Sequence, residues 1–371
     1  MVSAERKQTK IAVIGGNYGG LGFVNSLLQM LDLQEYNIKV TIFDKRQGFC
    51  HLVGVTRALI HKDFAKQIWI NHSELSWFNN PNIEFNYGTV TKVTEKTVEN
   101  EGGKHEDFDF IVVATGYGRP GPIWPESKVK GDYLDEFQVY REKIEAAGSV
   151  AVIGAGAVGV ELSADIKSHF PEKQVTLIHS RKLPIVGPYT EEFKSRVSDE
   201  LKEIGVELLF ENRVLSQSER IENGKTVFDI KTNQGVELTA DLILNCVGAG
   251  APVTDILDLE STEEYPLLDD KKLVKILPTI QLKNPKYSHI FAIGDINDWQ
   301  EVKLAGASMY QAHFTAKNIK AILDTKDGEL PKLENYPDYF LHLVLFLGEH
   351  HGIGEMEEGI VGWDKVKEFG R

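Results

Sequence analysis

The chain has 371 residues, of which 42% are hydrophobic and 26% charged, with a formal net charge of −14. That supplies apolar material for two or three soluble domains, and the acidic balance argues against a nucleic acid or an anionic lipid surface held through charge. The two cysteines, Cys50 and Cys246, are too few and too far apart for a disulfide framework, a C-x-x-C pair or a zinc site of their own. Such cysteine usage fits a reducing, cytoplasmic setting. No apolar run reaches the ~18 residues of a membrane span. The polar first ten residues lack the apolar stretch of a secretory signal, and Val2 stands where myristoylation requires glycine.

Residues 10–14 read as a short apolar strand, followed by a turn of Gly15, Gly16, Asn17, Tyr18, Gly19 and Gly20 and a helix over residues 20–30. Residues 39–44 form a second strand that ends on an acid, Asp44. Strand, glycine turn, helix, strand and acid in that order make the first half of a nucleotide-binding βαβ unit. A carboxylate at that strand end can accept both ribose hydroxyls of an adenosine; otherwise Asp44 is a solvated charge. Asn17 stands where the G-x-G-x-x-G fingerprint has its second glycine. A side chain there can obstruct the approach of a pyrophosphate, although Asn tolerates a left-handed backbone and its amide can donate to phosphate.

Residues 83–86, 88–93 and 97–99 read as short antiparallel strands, with a hairpin turn signal at Asn100-Glu101-Gly102-Gly103. An apolar strand over residues 107–113 leads into Ala114, Thr115 and Gly116, and residues 117–125, rich in Gly and Pro, read as a linker. A complete fingerprint follows the strand at residues 150–153: Gly154, Gly156, Ala157, Val158 and Gly159, with Glu161 at the start of the next helix. Its first glycine permits the tight turn, the second lets backbone approach a pyrophosphate, and the third packs helix against strand. The strand over residues 174–178 ends in His179, Ser180 and Arg181 instead of an acid. Arg181 can pair with the 2′-phosphate of NADPH, or it points to solvent. Then come a helix over residues 193–204, strands over 206–210 and 227–231, and a buried strand over 241–248. That strand ends at Gly248 and contains Cys246 as an inert core thiol.

Residues 289–293 form another apolar strand, closed by Gly294 and Asp295; Asp295 is either a helix N-cap or a contact for a dinucleotide. Lys303 opens a helix over residues 303–318 whose small residues suit a planar ring lying close to its positive end. Lys303 either stabilises negative charge on that ring or is an exposed helix-start lysine. Residues 339–347 and 352–354 read as strands of a small C-terminal unit. The expected fold is α/β, with two Rossmann-like dinucleotide-binding domains. Residues 1–125 and 256–330 form the flavin domain, 126–255 the nicotinamide-nucleotide domain, and 331–371 the C-terminal unit.

This order of features resembles the two-dinucleotide-domain flavoprotein disulfide reductase superfamily, with its glutathione-reductase-like fold. The stretch from Asp44, Lys45 and Arg46 through Phe49, His51, Arg57 and Ala58 to Asp63 and Lys66 is similar, more narrowly, to the apoptosis-inducing-factor-homologous, ferroptosis-suppressor branch and to type-2 NADH dehydrogenases. So are residues 171–180 and Ala292 to Asp295. The resemblance implies FAD contacts from the first glycine turn, Asp44, Lys45, Arg57, Val90, Ala114, Thr115, Gly116 and Asp295. It implies NADPH or NADH contacts from the second turn, Glu161, His179, Arg181 and Gly248, with Glu161 near the nicotinamide. The implied reaction passes hydride from NAD(P)H to the flavin and electrons to a small-molecule acceptor such as a quinone, with no essential acid or base; Lys303 and Glu161 are the candidates beside the reacting rings. Homodimerisation and peripheral association with mitochondria or a lipid surface stay open. The sequence departs from the branch at Asn17, at the missing myristoylation glycine and in ending soon after Trp363. Two alternatives remain. Cys50 beside His51 could serve as the single redox cysteine of a peroxidase or disulfide reductase, although the Ser-Phe-x-x-Cys-Gly setting of those enzymes is absent. The protein could also be an NAD(P)H-sensing binding protein.

Overall fold

Apolar β-branched runs followed by helices are the pattern of parallel strands buried on both faces, and the chain builds two such sheets. The computed structural model describes residues 7–118, 124–248, 250–326, 328–338 and 342–369. The first sheet is all parallel, in the order Ile290–Ala292, Phe110–Val113, Thr9–Ile14, Ile38–Asp44, Ile83–Tyr87. Helices Tyr18–Met30 and Ala305–Asp324 pack side by side on one face, through Phe23, Val24, Leu27, Ala312 and Ile319. On the other face Ile14, Ile111 and Val113 meet Val93 and Val98 of a three-stranded antiparallel sheet.

The second sheet is also parallel, in the order Glu207–Leu209, Gln174–Ile178, Ser149–Ile153, Leu242–Asn245. Helix Ala157–His169 covers one face. The antiparallel strands Lys225–Thr232 and Glu237–Ala240 reach the other through Ile230 and Ala240. Between the two sheets Tyr117–Gly118 pairs antiparallel with Ala251–Pro252, so the outgoing and returning chains run side by side. The C-terminal strands Leu343–Leu347, His351–Met356 and Gly359–Val361 form an antiparallel sheet without a separate core. Leu343, Leu345, Leu347 and Ile353 pack with Val152, Val160 and Leu162 of the second unit, together with Val55, Leu59 and Trp69 from the first part of the chain.

Several expectations are corrected. Residues 83–86 do not pair antiparallel: Ile83–Tyr87 is a parallel edge strand beside Ile38–Asp44, because a right-handed crossover returns the chain to the same sheet. The Tyr18–Met30 helix starts before Gly20, since the Asn17 side chain caps it. The later helix starts at Ala305 and extends to Asp324, leaving Lys303 outside it, ahead of the N-cap Leu304. The strand Leu242–Asn245 ends one residue before Cys246. The long strand Val214–Glu222 was not foreseen; all but Val214 are exposed and the apolar residues do not alternate, so no pattern marks it. Of the linker reading, residues 119–123 lie outside the described residues, as do 339–341 of the first C-terminal strand.

Candidate functional site

The two glycine turns share one geometry. Gly15 and Gly154 have left-handed φ of 109° and 105°, which an L side chain adopts only with strain. A Cβ on Gly20 would lie 1.8 Å from Gly15 O, and one on Gly159 would lie 1.9 Å from Gly154 O, so both third glycines let their helix close on the turn. The middle positions differ. A Cβ on Gly156, the N-cap of helix Ala157–His169, would meet nothing within 4 Å. Asn17 fills the equivalent place with a side chain that is held locally. Its Oδ1 accepts from Tyr18 N at 3.0 Å, and its Nδ2 donates to Cys50 O at 3.1 Å.

A cavity of about 690 Å³ joins the turns. Its wall contains Gly15, Asn17, Tyr18 and Gly19 of the first turn, then Asp44, Lys45, Val90, Ala114, Thr115, Gly116, Asp295 and Lys303. Gly156, Ala157, Val158, Glu161 and Gly248 close it from the second unit. Gly16, Gly20, Gly154 and Gly159 lie behind this wall and shape the turns. Asp44 holds the first turn directly: its Oδ2 accepts from Gly16 N, and its Oδ1 accepts from Arg46 N at 2.6 Å.

His72 belongs to the same support and carried no sequence signal, being a lone histidine. It is fully buried, stacks on Phe85 with ring centroids 4.7 Å apart, and its Nε2 pairs with Gly16 O at 3.1 Å. Burial draws its pKa below the ordinary imidazole value, although the Asp44 charge opposes this.

Three further residues named from sequence stand off the cavity wall. Arg57 lies between elements: its guanidinium donates to Gly348 O at 2.5 Å and pairs with Asp165 Oδ1 at 3.3 Å. Both partners come from segments more than a hundred residues away, so short-range reading could not find them. His179 is buried, and its Nδ1 accepts from Ala155 N at 3.2 Å, bracing the second turn. Arg181 is exposed at the rim of the second unit.

Glu161 is a half-buried acid on the wall. Desolvation pushes its pKa up to about 8, against the opposing hydrogen bond from Phe346 N at 3.1 Å. Burial also raises Asp165, to about 6, although Arg57 pulls the other way. Lys303 is not an exposed helix-start lysine: its Nζ donates to Asn297 Oδ1 at 3.0 Å and to Trp299 O at 3.1 Å. Burial lowers its pKa, while the charges of Glu301, Asp295 and Asp298 resist.

Cys50 loses the premise of a redox role. It is fully buried, absent from the cavity wall, and burial pushes its thiol up to about 12. His51, the supposed activator, spends its Nδ1 on Tyr18 Oη at 2.9 Å. Cys246, expected inside a buried strand, instead follows its end, is only half-buried and lines the cavity; burial still pushes its thiol up to about 12, and both cysteines are free.

A family profile described as pyridine nucleotide-disulphide oxidoreductase matches residues 9–312. The chain belongs to this family. It is a flavin-dependent NAD(P)H oxidoreductase. Among curated relatives, the oxidoreductase OXR1 of Ajellomyces capsulatus is 28% identical, covering 98% of this chain and 85% of its own length. Apoptosis-inducing factor homolog B of Dictyostelium discoideum is 28% identical over 96% of this chain and 91% of its own. Ferroptosis suppressor protein 1 of Mus musculus is 28% identical over 97% and 92%. Among solved structures, a ferredoxin reductase of Rhodopseudomonas palustris superposes with a TM-score of 0.71 at 17% identity, over 94% of this chain and 82% of its own. NDH2 of Plasmodium falciparum in complex with NADH gives 0.70 at 14%, over 96% and 92%. These structures share the fold. Among the described residues no helix is long and apolar enough to cross a membrane.

Proposed function

We propose that the first turn and Asp44 hold FAD, that the second turn holds NADPH or NADH, and that the oxidised partner is a small quinone-like acceptor. On this reading residues 1–125 and 256–330 are the FAD domain, 126–255 the nicotinamide-nucleotide domain and 331–371 the C-terminal unit. The carrying observation is the single cavity walled by both glycine turns, of the size that cofactor sites commonly have. The residues fit the two groups. The open face at Gly156 admits a pyrophosphate at a helix N-terminus, and Asp44 sits at the strand end where an adenosine ribose would lie.

Bound there, the flavin would accept hydride from the nicotinamide and pass electrons to the acceptor. The chain's own part is to orient the two rings, to exclude water and to hold a proton. With its pKa raised to about 8, Glu161 favours its protonated form at neutral pH, while its Oε1 accepts from Phe346 N. Lys303 offers positive charge from a fixed position on the cavity wall. The His-Ser-Arg strand end, lacking an acid that would repel a 2′-phosphate, supports NADPH. The quinone-like acceptor rests on likeness to ferroptosis suppressor protein 1 and NDH2.

The test is a visible spectrum of the purified protein, with extraction of its chromophore and titration by NADH and by NADPH under anaerobic conditions. Release of FAD, bleaching by a nicotinamide nucleotide and reoxidation by a short-chain quinone are expected. A colourless protein that binds no added FAD would overturn the assignment. Arg181→Ala should raise the KM for NADPH far more than that for NADH; equal effects would remove the preference.

A further inference from the structure

We propose that His61, His169 and Glu349 form a binding site for a divalent cation of the zinc class, outside the cofactor cavity. His61 is the N-cap of helix Lys62–Gln67, and His169 is the last residue of helix Ala157–His169. Glu349 lies in the turn between strands Leu343–Leu347 and His351–Met356. One ligand atom from each lies within 4.8 Å of the other two. The imidazole rings meet edge-on with centroids 4.6 Å apart. Tetrahedral zinc, with ligands at ~2.0–2.2 Å, needs its ligand atoms roughly 3.3–3.5 Å apart, a spacing within reach of small side-chain rotations. Two imidazoles and one carboxylate suit zinc better than magnesium or calcium, which favour all-oxygen sets.

The backbone around the three ligands is fixed. Gly348 has a left-handed φ of 73°, and a Cβ there would lie 2.5 Å from Ser168 Cβ, so the turn is pressed against the end of the His169 helix. Glu349 N donates to Ser168 Oγ at 3.4 Å. Arg57 ties together all three ligand-bearing segments. Its carbonyl accepts from His61 N at 2.8 Å, and its guanidinium bonds Gly348 O and pairs with Asp165 of the His169 helix. Asp165 offsets the positive charge of Arg57, and Glu349 brings the carboxylate of the set. Glu349 also stands 4.0 Å from His350 Nε2. Among the described residues a second His-bearing cluster, Glu200, Glu203 and His351, holds a single imidazole, already paired with Glu200 at 2.8 Å. A cation at His61 would cross-link the helix that carries Glu161 to the hairpin that carries Phe346.

The test is calorimetric titration of the full chain with Zn²⁺ alone near neutral pH, with the thermal unfolding midpoint recorded alongside. One equivalent should bind with low-micromolar affinity and raise the midpoint. His61→Ala, His169→Ala and Glu349→Gln should each weaken binding by more than about tenfold, at least the loss that follows removal of a supporting partner. His351→Ala should bind as the unaltered protein does. Each variant's unfolding midpoint without zinc verifies that it is folded. Absence of binding, binding indifferent to His169→Ala and Glu349→Gln, or binding lost with His351→Ala would overturn the proposal.

Discussion

The Glu161 carboxyl accepts a hydrogen bond from the backbone N–H of Phe346 across 3.1 Å. This contact joins the helix behind the second glycine turn to the C-terminal sheet, and it fixes an acid at the wall of the cavity. A largely desolvated carboxyl with one neutral donor is cheaper to keep protonated than charged.

That protonation gives a pH signature. Glu161 is ionised in the unfolded chain above its ordinary value of 4.5 and protonated in the fold up to about 8. Its contribution to stability is therefore complete below about pH 4.5 and is lost as pH rises through about 8. Glu161→Gln mimics the protonated form. Its unfolding midpoint, compared with that of the unaltered protein by thermal scans from about pH 5 to pH 9, should gain as pH rises towards about 8 and level off above that. A difference that stays constant over this range would show that Glu161 is ionised in the fold.

The second glycine turn separates folding from binding. Gly159→Ala drives a Cβ to within 1.9 Å of Gly154 O, so the helix must shift. A loss of about 1–3 kcal/mol of unfolding free energy is expected, read by urea denaturation. Gly156 has φ −73° and open space around a Cβ. Gly156→Ala should leave the denaturation curve in place and raise the KM for the nicotinamide nucleotide about tenfold or more. Equal stability losses in the two variants would refute the distinction.

Neither cysteine should behave as a redox thiol. With both thiols pushed up to about 12 by burial, the native protein at about pH 8 should react slowly with 5,5′-dithiobis(2-nitrobenzoate). Two thiols should appear on unfolding, as the sequence requires. Cys50→Ser should leave the turnover number with an artificial electron acceptor unchanged; a loss of more than about tenfold would reinstate the redox cysteine.

What the sequence made legible is what neighbours along the chain determine. The glycine turns, the acid after the second strand and the apolar parallel strands are all local patterns. Glu161 could be placed at the second turn, whereas its raised pKa and its link to Phe346 depend on a hairpin nearly two hundred residues later. Arg57 was expected at the flavin and instead joins Asp165 to Gly348, since a long cation goes where buried acceptors are and sequence spacing does not reveal them. Gly20 stands five residues after Gly15, as Gly159 does after Gly154, and the 1.8 Å approach to Gly15 O gives the physical reason for that spacing. His72 and the exposed strand Val214–Glu222 had no periodic signal to read.

Phe110–Val113 and Ile290–Ala292 lie next to each other in the first sheet, yet the whole second sheet is synthesised between them. During vectorial synthesis the edge of Phe110–Val113 therefore waits without its neighbour until the later strand has left the ribosome. The second sheet, whose strands all fall within that interval, is fully synthesised earlier. Chaperone occupancy on the nascent chain would accordingly concentrate on the first sheet, because an unpaired apolar edge is the surface most prone to mispairing.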